Sequence, residues 1–102
     1  MDATENRWFE LVEYVEDLLW EIPDEWEKGA LDLYYRVEDI MGEGPWNAPV
    51  SRVIALLYDM GKYYEPTHEL EIPCHLADEV ERVVRELLYM RLDMVAYVSR
   101  YI

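Results

Sequence analysis

EYVEDLLWEIPDEWE, Glu13 to Glu27, decides the fold. Its apolar residues Val15, Leu18, Leu19 and Ile22 recur at three- and four-residue intervals, the period of an α-helix that buries one face. Followed back through Trp8, Leu11 and Val12, this stripe predicts a first helix from about Thr4 to Ile22. Pro23 lacks a backbone N–H and stops it. Asp24 then serves as an N-cap, and Glu27, three residues on, completes a capping box that opens a second helix. The inner stripe of that helix is Trp26, Ala30, Leu33, Val37, Ile40 and Met41, and Gly42, Gly44 and Pro45 end it.

Beyond this pair, a third helix is expected near Asn47, with Pro49 in its first turn, where proline is tolerated. Val50, Val53, Ile54, Leu57 and Tyr58 form its stripe and Gly61 closes it. KYYEPTHELEIP, Lys62 to Pro73, reads as an irregular acidic link, because Pro66 and Pro73 exclude a helix; Leu70 and Ile72 alternate with acids as in a short extended piece. The last helix runs from about His75 to Arg100, with Leu76, Val80, Val83, Val84, Leu87, Leu88, Val95 and Val98 inward. The expected fold is all-α: one domain over residues 1–102, four helices, the last one long, with the link between helices 3 and 4.

Composition narrows the function. At 52% hydrophobic and 14% aromatic, the 102 residues can bury a core and are not a disordered acidic tail. A net charge of −14 disfavours direct binding to nucleic acid or to an anionic membrane, and favours a basic partner. Residues 1–50 hold 14 acids against 3 bases, and residues 51–102 hold 9 against 6, so the acidity belongs mainly to the first half. One cysteine permits no internal disulfide. MDATENRWFE shows neither the basic nor the apolar region of a signal peptide, and no apolar run approaches a membrane span; the expected location is the cytoplasm.

On a helical wheel Glu10, Glu13, Asp17, Glu21 and Asp24 fall within about 80° of one another, opposite the apolar stripe. Successive carboxylates stand about 5.4 Å apart along such a row. An ordinary solvated face would explain a row of this kind, but such faces mix signs, since Glu to Lys pairs four residues apart add stability and like pairs subtract it. This face has no lysine. Glu25, Glu38, Asp39 and Glu43 extend it. Two or three such rows begin to approach the phosphate spacing of a duplex. Phe9 and Trp20 lie on the flank between the acids and the core, where they either pack on a neighbouring helix or form an association surface.

Catalytic signatures are sparse, and the chain is read as a non-enzyme. His68, Cys74 and His75 gather near the last helix, with Glu65, Glu69 and Glu71 close in sequence, but the paired spacings of a zinc site are missing; no metal or cofactor is expected. Glu65 to His68 matches the ExxH of di-iron bundles, but Pro66 lies inside it and no second copy exists. Cys74 has no separate histidine on a helix to activate it. GEGPW, Gly42 to Trp46, lacks the GK[ST] ending of a phosphate loop and reads as a turn. Tyr34, Tyr35, Tyr63 and Tyr64 read as packing residues with wet hydroxyls.

The layout resembles the phage Ocr antirestriction proteins, which are DNA mimics. The likeness is architectural and spans nearly the whole chain: an acidic amphipathic helix from Asn6 to Ile22, a shorter acidic helix, Pro45 before a third helix ended by Gly61, and an acidic link to Pro73 before a long last helix. Val80, Tyr89 and Leu92 fall where similar residues would be expected. The resemblance implies an all-α homodimer, acting in the host cytoplasm, whose carboxylates imitate phosphates and occupy the DNA site of a restriction–modification enzyme. Two features depart from it: the ending SRYI lacks acids, and Arg82, Arg85, Arg91 and Arg100 lie on the last helix, within reach of Asp78, Glu79, Glu81 and Glu86. The alternative is a helical adaptor or dimerisation module that binds a partner protein through its aromatic surface.

Overall fold

The computed structural model describes residues 3–64 and 70–101, with side chains for residues 4–64 and 70–96. Expectations resting on Glu65, Pro66, His68, Glu69, Val98 and Arg100 fall outside these side chains. The described residues form an all-α domain: α1 (Ala3–Trp20), a 3-10 turn (Asp24–Trp26), α2 (Glu27–Met41), α3 (Val50–Asp59), a single turn α4 (Gly61–Tyr64) and α5 (Cys74–Tyr101). The 28 residues of α5 extend about 42 Å at 1.5 Å per residue and set the 48 Å long axis of the molecule.

Helix α1 buries Trp8, Leu11, Val12, Val15 and Leu19 of the predicted stripe, and Ile22 follows into the core, while Leu18 is only half-buried. The Trp8 indole N–H donates to the Met41 carbonyl at 2.8 Å, so the largest core side chain leaves no polar atom unsatisfied. The capping box does not form. Pro23 stands ahead of the 3-10 turn with extended backbone, and its carbonyl accepts the Trp26 N–H at 3.0 Å. Backbone thus takes a donor that a cap would take, and Asp24 is the first residue of the turn rather than an N-cap; no side-chain cap bond opens α2 either.

Between α2 and α3, Gly44 adopts φ 87°, the left-handed conformation that glycine enters without steric cost. Helix α3 starts at Val50, one residue after Pro49, whose carbonyl accepts the N–H groups of Arg52 and Val53. Its stripe is rotated from the expected one. Val53, Leu56 and Met60 are buried, while Ile54 is exposed and Tyr58 is 84% exposed. The run VIALLY is apolar at nearly every position, so periodicity alone could not choose the face; packing against α5 chooses it.

Gly61 does not close α3 with a left-handed cap. The chain passes through Met60 into α4, with the Tyr63 N–H bonded to the Met60 carbonyl at 3.0 Å. Lys62 to Tyr64 is therefore helical, contrary to the expectation from the prolines: Pro66 bars a helix from continuing, not a turn that ends before it. Leu70 and Glu71 lie against α2, and the Ile72 N–H bonds the Tyr63 carbonyl at 3.0 Å. A Cβ on Gly29 would lie 2.3 Å from the Leu70 carbonyl oxygen, so only glycine permits this crossing.

Helix α5 buries Ala77, Val80, Val83, Val84, Leu87 and Met94, whereas Val95, expected inward, is 40% exposed. Arg7 pairs with Glu86 and the Tyr14 hydroxyl donates to Glu79, so α1 runs antiparallel to α5. On the other flank Arg91 donates to the Pro45 and Ala48 carbonyls, and the Tyr64 hydroxyl donates to Asp78 at 2.8 Å. Tyr63 is wholly buried and its hydroxyl donates to Asp32 at 2.5 Å, not to water as expected. Burial and this carboxylate push the Tyr63 hydroxyl up to about 12. No described helix is long and apolar enough to cross a membrane.

Candidate partner-binding face

All nine acids singled out in the sequence are exposed. Glu10, Glu13 and Asp17 share one face of α1, and Glu21 continues it, its N–H bonded to the Asp17 carbonyl at 3.2 Å. Asp24 and Glu25 do not extend that row by helical rotation, because α1 ends at Trp20 and Pro23 re-aims the chain into the 3-10 turn. Glu38 of α2 comes near Glu16, on the flank of the α1 row, and acts on it electrostatically. Asp39 instead lines a depression of about 240 Å³ shared with Arg36, Ile40, Arg52 and Ala55. Glu43 lies in the loop after α2.

Among the described residues, no ion pair involves any of these nine carboxylates. Most of the described bases are engaged elsewhere. Arg82 pairs with Glu79 and Glu86, and Arg85 with Glu81, on α5 itself, as the spacing predicted. Arg36 and Lys62 pair with Asp59, and Arg91 is spent on loop carbonyls. The local field also works against the acids. Neither α1 nor α2 has a basic residue in its last turn, where Asp17, Glu38 and Asp39 stand against the negative end of the helix dipole. Anions so placed cost about 0.3–1 kcal/mol each at low ionic strength.

Glu16, which was not singled out, is the acid most affected by this crowding. Partial burial, then Glu38, and also Glu13 and Asp17, raise its carboxyl above the ordinary value, although a hydrogen bond from Tyr34 opposes the rise. Burial, then Glu16 and Glu38, raise the Tyr34 hydroxyl. The seam between α1 and α2 therefore alternates acid and aromatic. Trp20 is 70% exposed, its ring centroid 5.9 Å from that of Tyr34, which meets Tyr35 edge-on at 5.5 Å. Tyr35 is itself 57% exposed. Phe9, grouped with Trp20 in the sequence, is exposed but less so, at 37%, and a Cβ on Gly44 would lie 3.4 Å from its ring edge. Glu16 and Tyr34 were legible only as helix-flank positions, and their pairing needed the α1–α2 register.

Cys74 and His75 are exposed at the start of α5, and among the described residues no three His, Cys, Asp or Glu side chains converge as metal ligands would. No protein-family model, curated protein or solved structure matches this chain.

Proposed function

We propose that this protein inhibits a basic nucleic-acid-binding protein by charge mimicry, occupying the site that normally holds phosphates, in the manner of the Ocr antirestriction proteins its layout resembles. One observation carries the reading. The carboxylates of Glu10, Glu13, Asp17, Glu21 and Glu38 are exposed, join no ion pair among the described residues, and crowd like charges together, with Asp17 and Glu38 also at the disfavoured end of a helix dipole. Folding gains nothing from that arrangement, whereas a cationic cleft would: each carboxylate accepts a charge-assisted hydrogen bond from lysine or arginine. Glu10, Glu13, Asp17, Glu21 and Glu38 form the centre of the face, with Asp24, Glu25 and Glu43 at its margins. A DNA-binding defence enzyme such as a restriction–modification enzyme is the proposed target, and a homodimer the proposed active form. Replacing Glu13, Asp17 and Glu21 together by lysine should abolish inhibition of DNA binding by the target while circular dichroism stays unchanged. Retained inhibition would refute the reading.

A second reading rests on Trp20 and Tyr35, whose exposure suits an adaptor that binds a partner through apolar contact. It predicts association that tolerates high salt.

A further inference from the structure

Beside the exposed Trp20, which helps to line it, the α1–α2 seam opens into a concavity of about 120 Å³. Leu19, Ile22, Ala30 and Leu31 line it together with two acids, Asp24 and Glu27. A liquid water occupies about 30 Å³, so the space admits a side chain rather than a lone solvent molecule. Its lining is divided in chemistry: four aliphatic residues, one tryptophan and two acids. A hydrocarbon side chain would satisfy the walls and waste the carboxylates. An arginine satisfies every part, because its three-carbon stem lies on apolar surface, its planar guanidinium stacks on an indole, and its fork bonds a carboxylate at two points.

We propose that this concavity is an arginine subsite, where one arginine of the basic partner inserts its stem between Ile22 and Leu31, stacks on Trp20 and bonds Asp24 or Glu27. The inference deepens the charge-mimicry reading and rests on it for the partner's class. Phosphate imitation alone attracts any cation; this subsite distinguishes arginine from lysine, whose ammonium is compact and strongly hydrated.

The test uses the full chain, with capped tetra-arginine and tetra-lysine peptides as probes, followed by the four indole N–H signals in two-dimensional NMR. The Trp20 signal is assigned from its loss in Trp20→Phe. Tetra-arginine should move the Trp20 signal far more than the buried Trp8 signal, and bind about two- to fivefold tighter than tetra-lysine, the range expected of a cation–aromatic contact at an exposed site. Trp20→Ala should erase that preference; the exposure of Trp20 makes the change compatible with folding, checked on the Trp8 signal. Equal affinity for the two peptides, a stationary Trp20 signal, or a preference that survives Trp20→Ala would each overturn the subsite. Those results would leave charge mimicry standing, because it fails on a separate result, the inability of duplex DNA to compete with this protein for its target.

Discussion

Reversing Asp17 to lysine separates stability from function. Glu13 and Glu21 each stand four residues from Asp17. A like-charged pair at that spacing costs about 0.2–0.5 kcal/mol and an opposite pair returns about as much, so each pair swings by about 0.4–1 kcal/mol. Glu21 lies just past the end of α1, which puts its pair at the lower end of that range. Asp17 also stands in the last turn of α1, where exchanging an anion for a cation removes a cost of about 0.3–1 kcal/mol and replaces it with a gain. Screening and the exposure of the site reduce the total, and Asp17→Lys should stabilise the fold by about 1–2 kcal/mol at low ionic strength. Urea denaturation at about 0.01 M and about 1 M salt is the assay, since the screening length falls from about 30 Å to about 3 Å between them. Most of the gain should vanish in the higher salt, leaving a few tenths of a kcal/mol from the better helix propensity of lysine. Target inhibition by the same variant should weaken. A variant less stable than the parent would show that the carboxylate row is not held against the interest of the fold, and one that inhibits as well would show that Asp17 does not serve the target.

Three further outcomes follow from the packing and the titrating groups. Gly29→Ala should lower stability by at least about 2 kcal/mol in urea denaturation, although alanine is the better helix former by about 1 kcal/mol, because the new methyl meets the backbone at Leu70 and Glu71 rather than a side chain that could turn away; stability at or above the parent's would contradict the close crossing. Tyr63→Phe should cost about 1–3 kcal/mol with the denaturant slope unchanged, since Asp32 loses its donor in a half-buried site; an unmoved midpoint would refute the bond's role. Glu16→Gln should stabilise the fold by a few tenths of a kcal/mol near neutral pH. The sign follows from the raised carboxyl: the folded state holds the Glu16 proton more tightly than the unfolded one, so stability falls as pH rises from the ordinary 4.5 through the folded value. The advantage of the glutamine variant should therefore disappear well below pH 4.5, and an advantage that persists there would contradict the crowding.

The helices of α1, α2 and α5 were legible because each carries a long apolar stripe at helical spacing, interrupted by proline or glycine. The face of α3 was not, since an apolar run with no polar side to orient it leaves the choice to α5. Gly61 was expected to close α3, but the left-handed conformation belongs to Gly44; and Gly29, which carries no local signal, is fixed by close approach to Leu70, forty-one residues away. Long-range crowding leaves no mark in local pattern. At the site, the single-sign row on α1 could be read directly from spacing, but its continuity through Asp24 could not survive Pro23. The contribution of Glu16 and Tyr34 depends on which residues of α2 come to lie beside α1, and that register is set by the core.

The most direct test of charge mimicry is competition on the captured target. The protein is immobilised, lysate is passed over it, and retained proteins are eluted either with a salt gradient or with duplex DNA at constant low salt. Charge mimicry predicts that DNA-binding proteins leave at low to moderate salt, and that duplex DNA releases the same proteins without any salt. Partners that survive high salt and ignore DNA would contradict it, and would assign the binding to the aromatic surface around Trp20 instead.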